Sequence, residues 1–245
     1  IMKIDTTKMN FHSTFKPQLI YVSRLLKLAG QMYSGDERSI SDITGIPTGE
    51  SSGKVVPHLY YAKFMGLIDF VLKDKVYNLS LTNFGKIVLQ EDPNIIEDIT
   101  KVILNYNIAD ISEGAPHWSY LYRVFNWNYN QEYNIKNIQR DLEEYIGKNN
   151  CKMTVVKKSY ESECFENLRI INIIDKDTIM FNEVFPRIEL YNAYAYTLIK
   201  DMEKYYPDLN EITIDEIIDE MKWNKPLGLS FEDALEVLDE LSDLG

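Results

Sequence analysis

The 245 residues are 45% hydrophobic and 26% charged, enough apolar material for a sizeable core in one larger domain or two small ones. No run approaches the ~18 apolar residues of a membrane span, and "IMKIDTTKMNFH" lacks the apolar core of a secretory signal, so no membrane association and a cytoplasmic location are expected. The net charge of −12 is unevenly spread: residues 1–90 carry eleven Lys/Arg against seven Asp/Glu, and the remainder fifteen against thirty-one, which leaves nucleic-acid binding open to the first part alone.

After Pro17, Leu19, Val22, Leu25, Leu26 and Ala29 recur at helical spacing and predict a first helix. "SGDE" at 34–37 reads as a turn, and Ser39 as the cap of a short second helix over Ile40–Ile43, stopped by Thr44-Gly45-Ile46-Pro47. The next stretch, "GIPTGESSGKVVPH", looks like a nucleotide phosphate loop. That pattern needs Gly, four residues, then Gly-Lys-Ser/Thr, whereas Thr48 stands five before Gly53 and Val55 follows Lys54, and no buried strand precedes it. A third helix follows, with Pro57 in its first turn and Gly66 as its stop. Leu67–Phe70 and Val76–Leu81 read as a β-hairpin across "KDK", and Thr82 as the cap of a fourth helix.

Three helices followed by a hairpin is the order of a winged helix, in which the third helix enters the major groove and the hairpin touches the backbone. The Gly/Ser loop then precedes that helix, where backbone N–H groups and side-chain donors suit a DNA phosphate. The candidate DNA contacts are Ser51, Ser52 and Lys54 from the loop, His58, Tyr61 and Lys63 from the helix, and Lys73 and Lys75 from the hairpin. Winged helices also serve as dimerisation and protein-docking modules, and one of Tyr60 and Tyr61 must face the core.

Beyond Pro93 the chain is acidic and mostly helical. Ile95, Ile99, Ile103 and Leu104 share one face, Trp118, Leu121 and Phe125 recur at helical spacing, and "NIKNIQRDLEEYIG" ends a helix at Gly147. "CKMTVVKKSY", "LRIINIID" and "TIMFNEV" read as strands, with a turn at Asp175-Lys176-Asp177. Three tail helices follow, with Thr213 and Ser230 as caps of the last two. The expected architecture is α+β and mainly helical: a winged-helix domain over 1–92, then an acidic helical domain over 93–245 with short strands near 151–183. Cys151 and Cys164 fit neither a disulfide framework nor a zinc site and are expected as reduced, partly buried thiols.

"FHSTFKP", "ITGIPTGESSGKVVPHLYYAKFMGLI", "LTNFGKIVLQEDP", "ILNYNI" and "GAPHWSYLYRVFN", in that order, resemble a bacterial family encoded beside DNA phosphorothioation genes. The resemblance is strongest over 11–127 and weak over 150–245. It implies a DNA-directed role in sulfur modification of DNA or phage defence, beside a cysteine desulfurase and a sulfurtransferase-like ATPase related to adenosine-phosphosulfate reductase. Some members of such clusters nick DNA.

Nicking requires carboxylates holding Mg²⁺ or Mn²⁺ with a nearby Lys or His. Within "KKSYESECFE", Lys158, Glu161 and Glu163 are the candidate catalytic residues, although alternating charges in a loop are usually only solvated. Glu220-Met221-Lys222 is a helical echo of a nuclease Glu-x-Lys pattern, and Glu91-Asp92 is a weak cation candidate. His12, His58 and His117 are scattered, and His58, at the start of the third helix, is the best placed for DNA. Three readings stay open: a metal-dependent nickase, a non-enzymatic DNA-binding scaffold, and a winged-helix transcriptional regulator, with a homodimer compatible with each.

Overall fold

The computed structural model describes residues 4–49, 53–209 and 211–244. Leu19, Val22, Leu25 and Leu26 form the buried stripe of α1 (Leu19–Ala29). The expected turn at 34–37 instead contains a two-residue strand, β1 (Ser34–Gly35). Asp36, rather than Ser39, caps α2 (Glu37–Thr44): its Oδ1 accepts the Ser39 N–H at 2.8 Å and the Ser39 hydroxyl at 2.6 Å. A carboxylate at that position satisfies an orphan donor and faces the positive end of the helix dipole.

The third helix, α3 (Val55–Phe64), leads into β2 (Ile68–Lys73) and β3 (Val76–Leu81), which pair in register from Ile68↔Leu81 to Lys73↔Val76. Asp74 and Lys75 both have positive φ (52° and 66°), the geometry of a two-residue type I′ turn whose twist matches the strands it joins. With β1 on the other side of β3, the sheet order is β1-β3-β2. Thr82 caps α4 (Asn83–Glu91) through the Gly85 N–H at 2.8 Å, as its position predicts.

Pro93 does not open the next helix. Asp92 is buried and accepts the Ile96 and Glu97 N–H groups at 2.9 and 3.0 Å, bridging to α5 (Asp98–Ile108), so its carboxylate is engaged by the backbone rather than free for a cation. The short α6 (Pro116–Ser119) runs into a π-helical turn over Tyr120–Val124. β4 (Glu132–Asn134) leads into α7 (Ile135–Ile146), closed by Gly147 in the left-handed region.

The stretch expected as a strand at 151–160 instead forms α8 (Thr154–Glu161). Its β-branched residues favour a strand, but Val155, Val156, Ser159 and Tyr160 are buried at i, i+1, i+4 and i+5, a helical face that packs on the core. β5 (Ile171–Ile173) and β6 (Thr178–Phe181) are the expected hairpin, and the second sheet has the order β4-β6-β5. The chain then forms α9 (Tyr191–Tyr205), a short helical segment over 214–220 that is π-helical from Glu216 to Glu220, where the second tail helix is expected, and α10 (Phe231–Leu244). Thr213 and Glu216 make a reciprocal capping box, and Ser230 accepts the Asp233 N–H at 3.0 Å.

The fold is therefore mainly helical with one small antiparallel sheet in each half, and a single hydrophobic core runs through both. Cys151 and Cys164 are free and buried. Among the described residues no helix is long and apolar enough to cross a membrane.

Candidate nucleic-acid interface

Of the eight candidate DNA contacts, Ser51 and Ser52 lie outside the described residues. The loop around them is pinned at both ends, by Gly45 N–H on the Ser41 carbonyl at 2.7 Å and by Lys54 N–H on the Pro47 carbonyl at 2.7 Å. Lys54 folds back: its Nζ lies 3.4 Å from Gln18 Oε1 and 5.5 and 5.7 Å from the Phe15 and Tyr21 ring centres. A half-buried ammonium held over two rings is not projecting toward a ligand.

The third helix is not a free recognition helix. Val55, His58, Leu59, Tyr61 and Ala62 are fully buried, and Val56, Tyr60, Lys63 and Phe64 are only half exposed, because the segment from Ile4 to Gln18 straps across it on one side and α5 with Trp118 closes the other. A major groove admits a helix only by an open face, and the one face α3 keeps, Val56, Tyr60, Lys63 and Phe64, is half covered and mostly apolar. His58 and Tyr61 are accordingly structural. The Tyr61 hydroxyl donates to the Phe15 carbonyl at 2.7 Å. His58 Nε2 accepts the Gln18 N–H at 3.1 Å while Nδ1 meets the Lys54 carbonyl at 2.7 Å, which fixes a neutral ring protonated on Nδ1. Burial pushes the His58 pKa down to about 4.

The other two histidines, distant in sequence, meet at the same place. His12 and His117 rings are 4.9 Å apart at an edge, both are buried, and burial holds them neutral with values of about 4 and about 3. His58 thus fastens the strap by a hydrogen bond, while His12 and His117 join it to the core by packing, since His12 Nε2 and both His117 ring nitrogens have no hydrogen-bond partner among the described residues.

Lys63 is half exposed but paired with Asp69 at 2.6 Å. Lys73 and Lys75 remain. Both are exposed at the tip of the β2/β3 hairpin, and neither has an ion-pair partner among the described residues. Exposed Val71 and Leu72 stand beside them (67% and 51%), and Lys75 borders a recess of about 340 Å³ shared with Arg38 and the carboxylates of Asp36 and Glu37.

The candidate catalytic residues are not brought together. Glu161 ends α8, 3.6 Å from buried Lys157. Glu163, turned by a positive φ of 67°, faces the strap and pairs with Lys16 at 3.1 Å, whose hydrogen bond lowers its pKa. Lys158 is exposed with no ion pair among the described residues. Nor do three His, Cys, Asp or Glu side chains converge anywhere among those residues in a way that could hold a metal ion. Mg²⁺ or Mn²⁺ held by this trio therefore does not fit the geometry.

What the sequence did not reveal is a charged seam between α5 and α9. Asp201, fully buried, accepts the Tyr106 hydroxyl at 2.5 Å and lies 3.5 Å from Arg123 Nη1, and the Arg123 guanidinium stacks 4.7 Å from the Tyr106 ring centre. Burial pushes the Asp201 carboxyl up in pKa while Arg123 pulls it back. One turn along, Asp110 accepts the Ser112 and Glu113 N–H groups at 2.9 and 2.8 Å, both oxygens take Lys204 at 2.9 Å, and Tyr205 donates at 3.1 Å. Burial opposes the Asp110 charge, but Lys204 outweighs it and holds the carboxyl well below the usual range. Arg123 also lines a cavity of about 470 Å³ with Glu220 and Lys222, so the Glu-x-Lys echo lies beside a guanidinium, and burial followed by that guanidinium lowers the Lys222 pKa. The available signal was Lys200, Asp201, Lys204 and Tyr205 at i, i+1, i+4 and i+5, a polar stripe on the buried side of α9.

The arrangement defines an α+β protein whose N-terminal three helices and hairpin are fused through one core to a larger helical part. Two solved structures share this fold, both of SspB and one of them magnesium-bound: each has a TM-score of 0.74 over 96% of this chain and 77% of the SspB chain, at 13% identity. No protein-family model and no curated protein matches the chain.

Proposed function

We propose that this protein is a DNA-holding component of a DNA phosphorothioation or phage-defence system. The observation that carries the proposal is the likeness to SspB, a phosphorothioation-system protein, over nearly the whole chain. It agrees with the family resemblance in the sequence, although the two rest on different features.

In this reading residues 1–92 act as a winged helix that uses its wing. The burial of most of α3 speaks against the major-groove mode, and the exposed Lys75 at the hairpin tip supplies a phosphate contact that positions the protein without reading bases. The acidic part over 93–245 would repel DNA and so orient the wing toward it, leaving the helical surface for a cysteine desulfurase or a sulfurtransferase-like ATPase. Cytoplasmic location follows from such partners.

Nicking is the second reading, favoured by the magnesium ion in one SspB crystal. Against it stands the separation of Glu161, Glu163 and Lys158. Incubation with supercoiled plasmid, with and without Mg²⁺ or Mn²⁺, separates the readings: a retarded band without open circles is the expected result, metal-dependent open circles would establish the nickase, and neither would remove the DNA role. A footprint confined to one operator would instead point to a regulator.

A further inference from the structure

We infer that β2 is a dimerisation edge, pairing antiparallel with β2 of a second copy of this chain about a two-fold axis at Val71. The inference rests on the strand itself and not on the DNA reading.

β2 is the edge of its sheet, and among the described residues no strand pairs with its outer side. The two-residue turn makes Lys73 and Val76 the closing hydrogen-bonded pair. Val71 and Asp69 therefore also direct their backbone groups to β3, and Phe70 and Leu72 direct theirs outward. The Phe70 N–H shows this: it is taken by the carboxylate of the adjacent Asp69 at 2.7 Å instead of by a strand. Val71 and Leu72, on opposite faces of this edge, are 67% and 51% exposed, an unusual pair of apolar residues to leave beside unpaired backbone.

A two-fold axis at Val71 fits every one of these features. It sets Phe70 against Leu72 of the second copy, so that the outward backbone groups exchange hydrogen bonds in both directions. It sets Val71 against its own copy as the close, non-hydrogen-bonded pair. It also sets Asp69 against Lys73 of the copy, twice, so the edge is complementary to itself in charge as an isologous contact must be. Asp69 then releases the Phe70 N–H to the Leu72 carbonyl of the copy, and its carboxylate, held at 2.6 Å by Lys63 of its own chain, is shared with that lysine. The result is a six-stranded sheet, and it joins the mildly basic parts of two chains whose remainders are strongly acidic.

Cross-linking tests the register directly. Cβ atoms in a close antiparallel pair stand about 4.5–5.5 Å apart, near enough for a disulfide, while residues two positions out of register are not. Val71→Cys should give a covalent dimer under mild oxidation and Leu72→Cys should not, with native Cys151 and Cys164 both buried and out of competition. In sedimentation the native chain should be dimeric, Asp69→Lys should weaken the dimer, and adding Lys73→Asp should restore it. A native chain that stays monomeric at its highest soluble concentration overturns the inference. So does a dimer in which the two cysteine variants cross-link alike and the charge exchange has no effect.

Discussion

The interior beneath the strap and the interior between α5 and α9 solve the same problem in opposite ways. Under the strap the polar groups are neutral: three histidines held uncharged, with Tyr61 and Gln18 bonding to backbone or ring nitrogen. Between α5 and α9 they are charged, with Arg123 against Asp201 and Lys204 against Asp110. A neutral buried group that loses its partner costs about 1–3 kcal/mol, whereas an ion deprived of its partner costs about 3–5 kcal/mol. The seam should therefore fail abruptly on mutation, and the strap gradually with pH.

The largest effect is expected at Arg123. Arg123→Ala leaves the Asp201 carboxylate buried and unpaired and should destabilise the fold by about 3–5 kcal/mol in urea unfolding. Arg123→Met together with Asp201→Leu should recover most of that loss. If the double variant is as unstable as the single, the seam acts through packing and the contrast with the strap dissolves.

The strap should respond to acid. The folded pKa values of His12, His58 and His117 lie at about 4, 4 and 3, below the unfolded value near 6.5. Between pH 6.5 and 4 the unfolded chain therefore binds protons that the folded chain refuses, so stability is full above this window and falls as the pH drops through it. Each histidine contributes up to about 1.4 kcal/mol per pH unit to that slope. In His58→Gln the pH dependence of the urea midpoint should flatten by about one histidine's share, and an unchanged slope would place the acid sensitivity elsewhere.

A smaller effect is expected where the two regions touch. Gly66 has φ +76°, and a Cβ there would stand 2.7 Å from Asn107 Nδ2, which donates to the Met65 carbonyl. Gly66→Ala should cost about 1–3 kcal/mol in thermal or urea unfolding. The smallest is expected at the surface: Lys63→Ala removes a largely exposed pair with Asp69 and should change stability by no more than about 1 kcal/mol.

Much of the fold was legible in the sequence because local signals agreed. The first helix, the hairpin turn, and the caps Thr82, Thr213 and Ser230 follow from spacing and turn chemistry. α8 was misread because β-branched propensity was set above the helical spacing of Val155, Val156, Ser159 and Tyr160. For the site, α3 carried a legible warning: "VVPHLYYAKF" has Lys63 as its one charged residue and apolar or aromatic residues on every face, the mark of a mostly buried helix rather than one that docks in a groove. Of the seam only the polar stripe of α9 was legible; its pairing was not, since only tertiary packing brings Arg123 to Asp201 across 78 residues.

The most direct test of the central claim, that the wing and not α3 meets DNA, is the salt dependence of duplex binding by three proteins. The account predicts that Lys75→Ala lowers affinity across unrelated sequences and reduces the slope of log K against log salt by about 0.9, while Lys54→Ala leaves the slope of the native chain unchanged. A slope lowered by Lys54→Ala and untouched by Lys75→Ala would return the contact to the loop before α3 and contradict the account.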